Sequence, residues 1–294
     1  AAENGHEGVV KIILQRADVK PNLAHRRDGT PLSWAAKNGH EGVVKILLQR
    51  DDVNPNLVTR WDQTPLSWAA QGGHEGVVKI LLQRADVSPD LADKKCRTPL
   101  SFAAEKGHER MVKLLLNRAD VNPNQEEMWG QTPLSLVAAN GHEGVVKILL
   151  QRADVNPNQA DWLGRTPLSW AAQNCRGGVV HILLRRADVN PNQADKWDQT
   201  PLARAAGNGH EGVVKILLQR IDVNLNQADR KGRTPLCWAA MNGQEGVVKI
   251  LLQRADVNTN QADMRNRTPL AWATRNGYSE LANILQQRFD PEAP

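Results

Sequence analysis

Histidine stands at positions 6, 40, 74, 108, 142 and 210, each time directly ahead of a glutamate. Imidazole beside carboxylate is raw material for a metal site or for acid–base catalysis. Distance decides against the metal. Zinc ligands sit about 2.0–2.1 Å from the ion, whereas stacked helices lie roughly 8–10 Å apart, so neighbours in such a column cannot share one. Arg176, Gln244 and Tyr278 also interrupt the column. A catalytic group needs one place in space, yet GHEGVVKILLQ recurs unchanged from Gly39, Gly73, Gly141 and Gly209, with GHEGVVKIILQ from Gly5. The column reads as architecture.

The other reactive side chains follow the same logic. Cys96, Cys175 and Cys237 fall in three different slots, too far apart to pair, and three cysteines in 294 residues are no disulfide framework. A reducing setting, cytoplasmic or nuclear, is expected. Cys175 takes a turn position held elsewhere by Gly, where a left-handed non-Gly residue costs roughly 1–2 kcal/mol, so it marks a weak repeat rather than a reactive thiol. Arg at 16, 50, 84, 118, 152, 186, 220, 254 and 288 forms a ladder that suggests phosphate binding, but an Asp follows two residues after each (18 through 290) and predicts mutual neutralisation. No Gly-rich phosphate loop, HExxH, GxSxG or CxxC occurs. Neither catalysis nor a cofactor is expected.

The elements that position these columns follow from a period. Thr-Pro-Leu starts at Thr30, Thr64, Thr98, Thr132, Thr166, Thr200, Thr234 and Thr268, at intervals of 34 residues. In TPLSWAAQGGHEGVVKILLQRADV (64–87), Thr64 is a suitable N-cap and Pro65 suits the first helical position. Leu66, Ala69 and Ala70 make a narrow apolar stripe, and Gly73 ends the helix. A second helix opens at His74–Glu75 and buries Val77, Val78, Leu81 and Leu82. One such pair cannot bury its apolar face alone, whereas stacked neighbours can. The expectation is a single domain over 1–294: a partial repeat (1–29), seven repeats (30–267) and a capping repeat (268–294). Trp34, Trp68, Trp170, Trp238 and Trp272 share one first-helix slot with Phe102, Leu136 and Arg204, which predicts inter-repeat packing, with Arg204 a local defect or rim residue.

Composition narrows the function. A net charge of +5 and a pI near 9.2 are mild for this length and only weak evidence for nucleic acid as the partner. No apolar run is long enough to span a membrane, and AAENGHEG has no secretory pattern. In the last repeat the Leu48 column becomes Gln286 and the Val44 column Ala282, the polar rewriting a cap requires. The start enters midway through a first helix without such rewriting, which predicts a cut inside a longer array.

TPL, AA, GH, VV, ILL and ADVN, in that order, resemble the ankyrin repeat, whose pattern carries T-P-L-H-x-A. The resemblance covers the whole chain and implies an all-α solenoid of stacked helix-turn-helix repeats with projecting hairpin or loop fingers. It places the binding face on finger tips and first helices. Three departures stand out. The family's His after TPL is Ser33, Ser67, Ser101, Ser135, Ser169, Ala203, Cys237 or Ala271, so its hydrogen bonds are weakened, lost or remade. The family's Gly before Ala-Asp is missing, so the second helix is expected to run through Gln83–Asp86. The finger is longer by two residues, as in NPNQADWLGR (156–165). The residue two before each Thr suits a left-handed tip turn (Gly, Asp or Asn), with Cys96 the exception.

If repetition is architecture, function sits where copies disagree. The four residues before each Thr vary most: RRDG, RWDQ, KKCR, MWGQ, WLGR, KWDQ, RKGR and MRNR. Trp61, Met128, Trp129, Trp162, Leu163 and Trp197 are apolar outliers at tips, and five of them fall in three consecutive repeats, a strip roughly 20 Å long at about 8–10 Å per layer. Trp is the side chain most enriched at binding hot spots. The competing reading folds these rings onto neighbouring fingers. The variable first-helix position, with Met241 its apolar member, extends the same face. A monomer that binds another protein there is expected, with a partnerless spacer or engineered scaffold, and then nucleic acid at basic tips, as the alternatives.

Overall fold

The structure, a computed structural model, describes residues 1–24 and 29–289. The tip residues Arg26, Arg27 and Asp28 and the ladder position Asp290 lie outside the described residues, as does the side chain of Arg288. Among the described residues there are seventeen α-helices, one 3-10 turn (Ala2–Asn4) and no strand.

Each repeat is a helix pair, as the period predicts. The repeat from Thr64 is representative, with helices Pro65–Gly72 and Glu75–Leu82. Thr64 is extended, and its Oγ1 accepts the Ser67 N–H at 3.1 Å while Pro65 takes the first helical position. The same cap recurs at Thr30, Thr98, Thr132, Thr166, Thr200, Thr234 and Thr268. The Ser67 hydroxyl also shares a hydrogen bond with Thr64 Oγ1 at 3.0 Å. Gly73 ends the first helix at φ 76°, a conformation that costs glycine nothing. In the second helix Val77, Val78 and Leu81 are fully buried. Each contributes about 1.5–3 kcal/mol, and Leu81→Ala would cost about 2–5 kcal/mol.

The second helix does not run on through Gln83–Asp86. It ends at Leu82, and Gln83 caps it in right-handed geometry. No left-handed cap satisfies its last carbonyls; Arg118 of the following repeat reaches toward the Leu82 carbonyl at 3.5 Å, and Arg84 closes the preceding helix in the same way. Arg84 Nη1 donates to the Leu48 carbonyl at 3.1 Å while Nε and Nη2 grip Asp86 at 2.9 and 2.6 Å. Arg50, Arg152, Arg220 and Arg254 repeat the arrangement toward Leu14, Leu116, Leu184 and Leu218. The ladder is therefore neutralised, as expected, and it also ties repeats together.

Two more columns tie neighbours. His40, His74 and His210 donate from Nε2 to the carbonyls of Glu3, Lys37 and Gln173, each at 2.9 Å. Arg176, where the column departs from His, reaches the Ala139 carbonyl from Nε at 3.1 Å. An asparagine column adds a rung of two bonds: Asn56 donates from Nδ2 to the Asp86 carbonyl at 2.6 Å and accepts the Ser88 N–H on Oδ1 at 2.9 Å. Asn192 and Asn226 do the same toward their following repeats.

The chain divides into two compact units, Ala1–Val137 with Lys147–Val155, and Ala138–Val146 with Asn156–Pro294. Within the first, Val43, Val77, Phe102, Met111 and Leu115 form the core; within the second, Val180, Leu183, Leu217, Val248 and Leu251 do. The last helix, Ser279–Phe289, buries Leu281 and Leu285 and leaves Gln286 exposed.

Candidate interaction surface

The finger between a second helix and the next Thr is organised by one buried side chain, five residues before that Thr. At Asp161, Oδ1 accepts the N–H groups of Leu163 and Arg165, each at 2.9 Å, and the Asp161 N–H donates to the Arg165 carbonyl at 3.0 Å. The turn then closes through a left-handed residue, Gly164 at φ 79°. Asp62, Cys96, Gly130, Asp198, Gly232 and Asn266 are left-handed at the equivalent position, so Cys96 shares the tip geometry despite its type. Among the described residues the finger is a closed turn without strand pairing, the loop form of the expected hairpin or loop finger.

The second carboxylate oxygen anchors the finger to the first helix. Asp161 Oδ2 accepts from Arg165 Nε at 3.0 Å and from Trp170 Nε1 at 3.2 Å, and the Arg165 guanidinium lies 3.8 Å from the Trp170 ring. Asp229, Arg233 and Trp238 repeat this, as do Asp263, Arg267 and Trp272. Burial works to raise the Asp263 carboxyl, but Arg267 and two backbone N–H groups outweigh it and hold it below its usual range. The Trp column thus anchors its own finger.

Arg204 is not a defect. Gln199 occupies the finger arginine position and Arg204 the Trp position, and Arg204 donates to Asp195 Oδ2 from Nε, at 3.0 Å, and from Nη2. The cation has moved from finger to helix while the buried carboxylate kept its partner. The Asp column and this exchange were missed from sequence, although Asp followed four residues later by Arg and nine later by Trp was there to be seen.

Fingers within each unit are joined by backbone hydrogen bonds. Met128 N–H donates to the Lys95 carbonyl at 2.8 Å in the first unit, and Lys196 N–H to the Leu163 carbonyl at 2.8 Å in the second. The tip side chains remain outside. In the first unit Trp61 and Trp129 are 54% and 60% exposed and Met128 is half-buried. In the second, Trp162 and Trp197 are 56% and 47% exposed, Leu163 is exposed, and Met241 is half-buried at the end of its first helix. Met264, at 78%, is a tip side chain the sequence reading passed over.

All three cysteines are free; Cys96 and Cys175 are exposed, and burial pushes the Cys237 thiol up. Among the described residues no group of His, Cys, Asp and Glu is arranged to hold a metal ion, and no helix is long and apolar enough to cross a membrane.

A family model describing three ankyrin repeat copies matches residues 1–93, 51–125, 100–195, 188–263 and 223–293. The chain belongs to the ankyrin repeat family. Its two-helix layers and projecting fingers are those of ankyrin repeats, which are generally protein–protein interaction modules and typically non-enzymatic. No curated protein matches the chain significantly.

Proposed function

We propose that this ankyrin array is a non-enzymatic, monomeric, intracellular module that binds another protein through its finger tips and first helices. The contacts are assigned to Trp61, Met128, Trp129, Trp162, Leu163, Trp197 and Met241. The reading of 1–294 as one array rests on the unbroken 34-residue interval.

One observation carries the reading. Trp61, Trp129, Trp162 and Trp197 each keep about half of their surface in water although backbone bonds already join neighbouring fingers. Finger pairing through the backbone leaves about half of each tryptophan available to a partner. A large indole held at a rigid tip at low entropic cost is the kind of group that anchors an interface.

The test is a paired pull-down from source-cell lysate read by mass spectrometry, with the native array beside a variant carrying Trp129→Ser, Trp162→Ser and Trp197→Ser. Circular dichroism first establishes equal helicity. A protein retained by the array and lost by the variant is the expected result. Identical or empty captures would move a spacer role ahead.

A further inference from the structure

We propose that a basic cleft between the last two fingers of the second unit binds an acidic segment of a partner protein. None of the tip tryptophans lines this site, and its test does not depend on their role.

The cleft has a volume of about 470 Å³, and its lining includes Lys231, Arg233, Arg265, Arg267 and Arg275 against the single carboxylate of Asp263. Two of the five cations are spent. Arg267 holds Asp263 through Nε and Nη2 at 3.1 and 2.9 Å, and Arg233 holds Asp229 at 2.9 and 2.7 Å. Lys231, Arg265 and Arg275 have no carboxylate partner among the described residues, and all three are exposed. The arginine ladder, among the described residues, is instead matched with aspartate. Like charges around a concave wall focus the field and attract an anionic group.

The apolar member of the cleft sets the class of ligand. Met264 is 78% exposed beside these cations and suits an adaptable apolar contact. A segment with carboxylates around one apolar side chain satisfies both. Single-stranded nucleic acid fits less well, because it uses open aromatic faces and a long basic track. The Trp272 indole already donates to Asp263 at 3.2 Å and carries the Arg267 guanidinium at 3.7 Å from its ring.

The experiment is fluorescence anisotropy on the full chain with three labelled probes: a short peptide of glutamates around a central leucine, the same peptide with glutamines, and an oligothymidylate. The glutamate peptide should bind at least about tenfold more tightly than the glutamine peptide, and the advantage should fall with salt. Lys231→Ser, Arg265→Ser and Arg275→Ser together should remove it, whereas the triple Trp→Ser variant should keep it. Only backbone N–H and carbonyl groups of Lys231 and Arg265 bond within the fingers, so serine preserves those bonds. Equal binding of the two peptides by the native chain overturns the proposal, whatever the variant does. So does unchanged binding by the cation variant, or an oligothymidylate that binds more tightly than the glutamate peptide.

Discussion

Arg84 Nη1 donates to the Leu48 carbonyl at 3.1 Å, so the residue that follows one repeat's second helix closes the end of the helix before it. A helix terminus leaves its last carbonyls without intrahelical partners, and a left-handed glycine cap is the common remedy. Here the remedy comes from the neighbouring repeat. In a quasi-one-dimensional array, stability is divided between each repeat and its nearest-neighbour interfaces. Moving the cap into the interface makes helix termination and repeat docking a single event. The same guanidinium holds the Asp86 carboxyl below its usual range.

Arg84→Ala is therefore expected to lower stability by about 1–2 kcal/mol, chiefly through the lost carbonyl bond. Asp86→Ala should cost less than about 1 kcal/mol, because the Asp86 side chain is 51% exposed and the pair is screened. Arg84→Lys should not recover the loss, since an ammonium cannot grip the carboxylate and reach the carbonyl together. Urea midpoints of the three variants check the order.

Asp90 occupies the asparagine column, and its rung is incomplete. Oδ2 accepts the Asn122 N–H at 2.6 Å, while Oδ1 is buried with no hydrogen-bond partner, at the position where asparagine presents its amide to the next repeat's Asp carbonyl. Burial raises the Asp90 carboxyl above its ordinary value; the Asn122 N–H opposes this and Asp120 adds to it. A carboxyl whose folded pKa is raised contributes stability that is complete below the unfolded value and is lost as pH rises through the folded one. Asp90→Asn should therefore stabilise the chain near neutrality by about 1–2 kcal/mol. The advantage should shrink as pH falls through the carboxylate range. Urea midpoints of both proteins at a series of pH values read this difference, and an advantage independent of pH would count against it.

Cys175 adopts φ 59° where neighbouring repeats place glycine. The strain belongs to its Cβ, so Cys175→Gly should stabilise by about 1 kcal/mol while Cys175→Ala should not. Thermal midpoints of the two variants separate backbone strain from any effect of the thiol.

What could be read from sequence was what depends on near neighbours. Thr64, Pro65 and Gly73 each act within a turn of their own backbone, so residue type and spacing suffice to place a helix. The cross-repeat partners were harder to see. Nothing in GHEGVVKILLQ says that His74 will reach Lys37 or that Arg84 will reach Leu48, because those distances exist only once repeats are stacked. The end of the second helix was misjudged for that reason, since its cap arrives from another repeat. The Asp161 column lay one residue outside the variable window and so escaped notice, and without it Arg204 had no visible partner.

Asp195 and Arg204 give the sharpest test of that hidden column. The Asp195 side chain is fully buried and that of Arg204 is 18% exposed, so removing the cation strands a carboxylate in a desolvated site. Arg204→Ala should cost about 3 kcal/mol, the order expected for breaking a buried pair. The neighbouring repeats supply the repair: Gln199→Arg with Arg204→Trp rebuilds the arrangement that Arg165 and Trp170 make with Asp161. The double variant should return to within about 1 kcal/mol of the native chain, although Arg204→Trp alone should be strongly destabilised. Urea unfolding of the single and double variants completes the cycle. Simple additivity of the two substitutions would mean that Asp195 does not bind them into one unit.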